Sequence, residues 1–321
     1  MKKISTRRYR CAKLSLRNFQ MLYQDYMDIN FPQTTIPLSN NNLQLELQFL
    51  DGIEVYDKTL VWNAERRAPV VRATERWLKI ICGALGIAGH ELRIRISALD
   101  TQALALGRPV DFTLTKEHIF PTLGDVIIDK LFYCPARQAK FAEEHKIGTK
   151  SVADYFKRVL PSTILHELGH VFGIGSLWNL HRSGQDYYFP GEDEYSPALW
   201  RHWAARNASG WSYIKPHSQA LKYYNEMVDD QAESIPLHNG YHLFNSLDLA
   251  LDQRSSTTSI HHTLPTPPLL DEELMGNGTL ISKITVGFLD DLGWDVDYDA
   301  ADNLILDPSI EIRRTGFDLF P

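Results

Sequence analysis

Residues 161–175 read PSTILHELGHVFGIG and predict the helix on which the interpretation of the whole chain depends. Proline is tolerated in the first turn of a helix, so we expect this helix to begin afresh near Pro161. Gly173 and Gly175 are expected to end it. Apolar side chains recur between them at helical spacing and give the helix a buried face: Ile164, Leu165, Leu168, Val171 and Phe172.

Two histidines and a glutamate on this helix form the pattern H-E-x-x-H. His166 and His170 are four residues apart, and such residues lie one turn apart on the same side of a helix. Their imidazole nitrogens can therefore reach one Zn²⁺ ion, at about 2.0–2.1 Å each. Glu167 projects from the neighbouring position, where it can act as the general base on a water. Burying these side chains without partners would cost several kcal/mol, so the pattern favours a zinc site over an ordinary apolar helix.

The motif itself does not contain a third protein ligand. In the metzincin pattern a glycine follows the helix, and a histidine ligand comes three residues later. Gly173 matches this glycine, but the expected ligand position is Ser176, which is a poor zinc ligand. Either zinc has only two protein ligands, or the third comes from farther along the chain. A gluzincin arrangement with a glutamate ligand is an alternative, and Glu192 or Glu194 would then supply it.

Several segments taken together resemble the leishmanolysin-type zinc metallopeptidases, above all their bacterial members. The zinc motif continues as HELGHVFGIGSLW, a long insertion follows, and E-L-M comes after it at residues 273–275. KITVGFLDDLGWDVDY, at residues 283–298, is similar to the closing helix and strand of that family. QALKYYNEMV, at residues 219–228, resembles a helix inside the family's insertion. The likeness extends over about residues 43–298.

The resemblance implies that the third zinc ligand is a histidine displaced downstream by the insertion. In the family this histidine precedes the methionine of E-L-M, which forms a turn beneath the metal (the Met-turn), and Met275 has that place here. His261 and His262 compete for the ligand position, and His262 is slightly favoured. Three other histidines are weaker candidates, since nothing after them supports the role: His217, His238 and His242.

The remaining pattern predicts an α+β fold in which a strand and a helix precede several further strands. A helix is expected over residues 65–83, with Gly83 placed to stop it, and another over residues 151–160. The predicted strands are residues 43–50, 91–99, 110–114 and 125–133. The resemblance implies a metzincin-like arrangement. Its N-terminal twisted mixed sheet carries two long helices, of which the second bears the zinc motif, and its C-terminal subdomain is irregular and mostly helical.

This interpretation divides the chain into three parts: an N-terminal arm over residues 1–35, a catalytic subdomain over residues 36–175, and a C-terminal subdomain over residues 176–321. The arm is basic, but no apolar core follows it, so no signal peptide is predicted. That favours a cytoplasmic protein or one exported by a signal-independent route, whereas the family resemblance favours an extracellular one. The three cysteines cannot all pair, which argues against a disulfide scaffold.

Composition limits the partners of the chain. The net charge of −7 argues against nucleic acid, which requires a basic face. No apolar run reaches about 18 residues, so no membrane span is predicted. We therefore expect a monomeric zinc-dependent endopeptidase that acts on protein or peptide substrates. The resemblance implies that an extended substrate lies along an edge strand of the N-terminal sheet. A catalytically inactive, metal-stabilised binding module is the alternative.

Overall fold

The computed structural model describes residues 33–180, 201–243 and 270–304, except positions 41, 52, 56–57, 100, 102, 145, 147, 208–209, 229–230, 271 and 277. The predictions for the N-terminal arm, for the histidine pair at 261–262 and for the two alternative glutamate ligands lie outside these residues. Among the described helices, none combines the length and the apolar character that crossing a membrane requires.

The described elements form a mixed α+β fold. Its helices are α1 (Ala64–Leu78), α2 (Pro135–Glu144), α3 (Thr149–Val171), α4 (Gln219–Val228) and α5 (Lys283–Leu292). The strands of the N-terminal half are β1 (Gln33–Ser39), β2 (Leu43–Leu50), β3 (Ile53–Val55), β4 (Lys58–Leu60), β5 (Ile81–Ala84), β6 (His90–Leu99), β7 (Ala105–Leu114) and β8 (Ile119–Asp129). Those of the C-terminal half are β9 (Asn179–Leu180), β10 (Arg201–His202), β11 (Ala204–Asn207), β12 (Gly210–Tyr213), β13 (Ile235–His238), β14 (His242–Leu243) and β15 (Trp294–Val296).

A five-stranded mixed sheet in the order β1-β2-β6-β8-β7 forms the N-terminal half. β2, β6 and β8 run parallel, whereas β1 and β7 pair antiparallel with their neighbours. β2 buries every second side chain, as its alternating sequence predicts. The sheet is therefore mixed with two antiparallel edges. The strands predicted over residues 43–50, 91–99 and 110–114 lie within β2, β6 and β7. The strand predicted over residues 125–133 ends earlier, at Asp129, and residues 130–132 form a 3₁₀ helix.

α1 and α3 pack against each other and against this sheet. The side chain of Asn63 caps α1 by accepting a hydrogen bond from the backbone N–H of Arg66. The indole N–H of Trp77 donates to the carbonyl of Leu165 at 2.9 Å and so joins the two helices. α1 is shorter than predicted: it ends at Leu78, and Gly83 belongs to β5, which pairs with β15.

The prediction that a new helix begins at Pro161 is wrong, because α3 runs without a break from Thr149 to Val171. Proline inside a helix removes one hydrogen bond and costs about 3 kcal/mol. Here the apolar face continues in phase across the proline and offsets that cost. The buried apolar side chains on it are Val152, Phe156, Leu160, Ile164, Leu168 and Val171. The hydroxyls of Ser162 and Thr163 both donate to the carbonyl of Val159 beside it.

The C-terminal half contains more strand than the prediction of a mostly helical subdomain allowed. A four-stranded antiparallel sheet has the order β11-β12-β13-β14. The helix predicted at residues 219–228 is confirmed as α4. The closing segment is confirmed as α5 and β15, with Ser282 as N-cap and Gly293 in the left-handed conformation at its end.

Candidate metal centre

α3 brings His166 and His170 together near its C-terminal end. Their Nε2 atoms are 3.1 Å apart, and their ring centroids are 4.8 Å apart. Each residue is only 9 % exposed. The spacing of four residues on one helix therefore gives the paired imidazoles that the sequence predicts.

The outer ring nitrogens of both histidines are fixed by backbone carbonyls. Nδ1 of His166 is 2.8 Å from the carbonyl oxygen of Leu274, and Nδ1 of His170 is 2.8 Å from that of Ile174. A carbonyl oxygen can only accept, so each Nδ1 carries the proton and donates it. The lone pair of each Nε2 then points towards the neighbouring imidazole, as in histidines that bind metals.

The third histidine at this point is His242. Its Nε2 lies 2.9 Å from Nε2 of His170, and its ring stacks on that of His166 at a centroid distance of 5.0 Å. One ligand atom from each of the three residues lies within 4.8 Å of the others. The three histidines therefore form a cluster that could hold a metal ion.

A tight hairpin delivers His242 to the helix. Asn239 and Gly240 both have positive φ, at 51° and 82°, as the two central residues of a type I′ turn do. The N–H of Tyr241 donates to the carbonyl of His238 across this turn at 3.2 Å, and His238 pairs with His242. The Asn-Gly dipeptide between these strands is the sequence signal that would have identified this hairpin.

The turn after α3 allows the hairpin to come this close. A Cβ at Gly175 would lie 2.5 Å from the carbonyl oxygen of Tyr241, which is closer than real Cβ contacts. Gly175 also has a φ of +73°, a conformation that favours glycine. The second glycine of the G-x-G segment therefore permits a backbone contact next to His242.

Burial keeps the three imidazoles neutral. It lowers the pKa of His166, and it lowers that of His170 to about 3, with the charge of His166 as the next cause. The pKa of His242 is also lowered by burial and then by the two other histidines. Neutral imidazole is the form that binds metals.

The separations fit a tetrahedral ion. Two nitrogens that are each about 2.1 Å from a tetrahedral Zn²⁺ are about 3.4 Å apart. The observed 3.1 Å and 2.9 Å are slightly shorter. Converging lone pairs at such distances repel one another, and a shared cation removes that repulsion. Three imidazoles suit zinc, and they also suit copper and nickel.

Glu167 is held between α3 and the edge strand β7. Its carboxylate accepts a hydrogen bond from the backbone N–H of Gly107. The residue keeps some exposure to solvent, although protein surrounds its carboxyl group. Burial raises its pKa to about 7, and the bond from Gly107 opposes this increase. A carboxyl group with a pKa near neutrality is suited to exchange protons in both directions.

The E-L-M segment packs beneath the histidine pair as a 3₁₀ turn over Leu274–Gly276. Met275 is fully buried, and a Cβ at Gly169 would lie 2.9 Å from its sulfur. Its backbone N–H donates to the Glu273 carboxylate at 2.6 Å. The same carboxylate accepts from the hydroxyls of Ser282 and Thr285. The turn therefore supplies the carbonyl that orients His166 and is itself fixed by a buried glutamate.

The sequence predicts His166 and His170, two of the three histidines in the cluster. It makes His242 only a weaker candidate, yet the structure places His242 beside the first two. His261 and His262 lie outside the described residues, so their ligand role stays a prediction. His238 is the hairpin partner of His242, and His217 lines a different cavity.

Comparisons of the chain with family models, with curated proteins and with solved structures found no match.

Proposed function

We propose that this protein is a zinc-dependent endopeptidase. The observation that carries the proposal is the convergence of three neutral imidazoles, two of them on the same helical turn as Glu167, whose carboxyl group is surrounded by protein. His166 and His170 contribute two of the Nε2 atoms and His242 the third. Nε2 of His170 is 3.1 Å from that of His166 and 2.9 Å from that of His242. Three protein ligands with a fourth position open are typical of catalytic rather than structural zinc sites.

In this proposal His166, His170 and His242 hold Zn²⁺. When bound, Zn²⁺ makes a water acidic near pH 7 and polarises the carbonyl of the scissile peptide bond. The carbonyls of Leu274 and Ile174 keep the first two rings aimed at one point. The protein's part in ion binding is therefore to present three prealigned, deprotonated nitrogens.

Glu167 acts as the general base. It accepts a proton from the attacking water and then passes it to the departing amine. Its bond from the backbone of Gly107 fixes the carboxylate relative to the sheet. This hydrogen bond to the neighbouring strand distinguishes Glu167 from a glutamate that lies near a metal only by chance.

β7 is the strand along which we propose that an extended substrate lies. It forms one edge of the five-stranded sheet, and among the described strands only β8 pairs with it. It is also the strand that contacts Glu167, through Gly107. A peptide added at this edge would run past the base by ordinary strand addition.

The family proposal is a leishmanolysin-like member of the metzincins. It is supported by the second long helix carrying the zinc motif, the closing α5–β15 unit, and the turn containing Met275 below His166. We propose that this turn is the Met-turn. The third ligand in this chain then comes from the insertion earlier than the family pattern implies.

Metal analysis and peptide hydrolysis test the function together. We expect one zinc per chain and chelator-sensitive cleavage of casein that zinc restores. Glu167→Gln should keep its zinc and lose turnover by about 100-fold or more, since general-base catalysis contributes about 10²–10⁴-fold. A fully active Glu167→Gln variant would contradict the role of the base. Zinc without any hydrolysis by the wild type would favour the metal-stabilised binding module instead.

A second set of variants tests the third ligand. His242→Ala should lose zinc affinity, whereas His238→Ala, four residues away in the same hairpin, should retain it. His261→Ala and His262→Ala should also retain it if His242 is the ligand. Loss of zinc in either of these two, with full retention in His242→Ala, would return the ligand role to the pair at 261–262.

A further inference from the structure

A second polar cavity lies at the opposite end of the β7–β8 hairpin from the metal centre. It has a volume of about 390 Å³, and its lining includes His118 in the hairpin turn, Arg201 and Trp203. Gly107, which contacts Glu167, is seven residues before the end of β7 at Leu114. At about 3.4 Å per residue that stretch spans roughly 24 Å. The cavity is therefore separate from the proposed peptidase site.

Arg201 is a buried cation in the wall of this cavity. It is 3 % exposed, and its Nη1 has no hydrogen-bond partner. Its Nη2 makes only a long contact of 3.5 Å to the carbonyl of Leu292. No ion pair joins it to a carboxylate in the described part of the chain. Leaving a guanidinium buried in this state is costly, because charged groups removed from water need compensating partners.

Trp203 leaves the edge of this guanidinium available. The Arg201 Cζ atom lies 4.5 Å from the centre of the Trp203 ring, as in a cation–π contact. Such a contact covers one face of the planar group and makes no use of its N–H bonds. The in-plane donors on Nη1 and Nη2 are the part that a ligand can still engage. Two parallel N–H donors match a pair of oxygens in a carboxylate or phosphate.

Two carboxylates in the cavity wall are already engaged elsewhere. Asp291 is buried and pairs with Lys215 at 3.1 Å. Asp290 accepts from the hydroxyl of Tyr298 at 2.7 Å. Asp291 also accepts from four further donors: the hydroxyls of Tyr213 and Ser218 and the backbone N–H groups of Gln219 and Ala220. The wall therefore neutralises Lys215 but leaves Arg201 unpaired.

We propose that this cavity binds a small oxyanion, through a bidentate contact with the Nη1 and Nη2 edge of Arg201. The ligand class is a carboxylate or a phosphate group, which present the same pair of acceptor oxygens. The proposal does not depend on zinc or on peptidase activity.

The electrostatics of the cavity agree with an anion. Burial lowers the pKa of Arg201 to about 10, so the side chain remains charged at neutral pH. Burial also lowers the pKa of His118, and the positive charge of Arg201 is the next cause. Glu117 is exposed and is the one remaining carboxylate among the described lining residues without a recorded cationic or hydroxyl partner. Its negative charge opposes anion binding, so removal of that charge should strengthen the binding.

Isothermal titration calorimetry with sodium acetate and with sodium phosphate, at ionic strength held constant with sodium chloride, tests the proposal. We expect saturable binding of at least one of the two to the wild type. Arg201→Met should weaken it by about tenfold or more, since a charge-assisted hydrogen bond contributes about 1.5–3 kcal/mol. Lys222→Met removes an exposed cation on α4 and is the matched control; it should bind as the wild type does.

Glu117→Gln keeps the proposal testable if Arg201→Met does not fold. Removal of this exposed negative charge should tighten binding by about twofold. Binding of acetate alone would identify the ligand as a carboxylate, and stronger binding of phosphate would identify it as a phosphate group. Three results would overturn the proposal: no saturable binding of either anion, binding that persists in Arg201→Met, or unchanged affinity in Glu117→Gln. Persistence in Arg201→Met would also be the result if the anions bound at the metal centre.

Discussion

Gly107→Ala tests whether the contact between β7 and α3 sets the position of Glu167, the proposed general base. A Cβ at this glycine would lie 2.0 Å from the backbone oxygen of Glu167 and 2.6 Å from its carbonyl carbon. Ordinary van der Waals contacts begin at 3.4 Å. The strand and the helix would therefore have to separate by about 1.4 Å, the difference between these two distances. Neither contacting atom belongs to a flexible side chain that could move aside.

Separation by that amount would act directly on the proposed catalysis. The N–H of Gly107 donates to the Glu167 carboxylate, and this bond would be lost or lengthened. Misplacing a catalytic group by about 1 Å can cost about 100-fold in rate. We therefore expect kcat/KM for a casein-derived peptide to fall by about that factor. Forcing the extra atom into a packed contact should also lower the free energy of unfolding by about 1–3 kcal/mol.

Gly148→Ala is the matched control for this substitution. Gly148 precedes α3 with an ordinary φ of −63°, and a Cβ there would meet only the Ser151 hydroxyl oxygen at 3.6 Å. Zinc content, peptide hydrolysis and urea unfolding should be measured for both variants. Gly107→Ala should keep its zinc, since the substitution touches none of the three histidines. If Gly107→Ala matches Gly148→Ala in both unfolding free energy and kcat/KM, the close approach does not position the base. The unfolding measurement retains its meaning even if the wild type hydrolyses no peptide.

Two further predictions concern buried groups outside the histidine cluster. Glu273→Gln should lower the free energy of unfolding by about 1–3 kcal/mol, because the amide replaces a carboxylate that accepts hydrogen bonds from several donors. Glu272→Gln, at an exposed neighbouring residue, is the control. It should change the free energy of unfolding little in the same urea titration. Burial lowers the pKa of His90 below its ordinary 6.5, so the unfolded state binds more protons than the folded state in acid. The free energy of unfolding should therefore fall as the pH drops below about 6.5, and His90→Gln should make this fall smaller. If the variant and the wild type lose the same free energy of unfolding between pH 7 and pH 5, the prediction is wrong.

Local patterns in the sequence are sufficient to predict most of the helices and strands near the site. The alternation in β2 places Leu43, Leu45 and Leu47 in the core. Ser282 and Gly293 begin and end α5 where capping chemistry predicts. These features depend on neighbours within a few residues, so they can be predicted directly from the sequence.

Where the prediction from the sequence was wrong, tertiary packing outweighed the local signal. Proline at position 161 is a strong local signal for a helix start, but burial of one continuous apolar face outweighs it. The apolar positions at 156, 160, 164 and 168 keep a four-residue spacing across the proline. That unbroken spacing is present in the sequence, and giving it more weight than the proline would have predicted one helix.

The third histidine of the cluster is harder to predict from the sequence, because its position depends on contacts between segments far apart in the chain. His242 is 72 residues from His170 and belongs to a two-residue strand. Nothing in its immediate surroundings distinguishes a ligand from an ordinary polar residue. The Asn-Gly turn predicts a hairpin there, but only the tertiary fold tells which helix the hairpin meets.

Close approaches at three glycines assemble the candidate centre, and this explains how one site can draw on three distant segments. At Gly107 the edge strand lies close to Glu167, and at Gly169 the side chain of Met275 packs beneath the histidines. At Gly175 the hairpin that carries His242 lies close to the turn after α3. In each case an added Cβ would lie at 2.9 Å or less from an atom of the neighbouring segment. The histidines and Glu167 would supply the proposed chemistry, but their distances are set by these three approaches. A substitution at any of them should therefore disturb the site while leaving every proposed ligand and the base in the sequence.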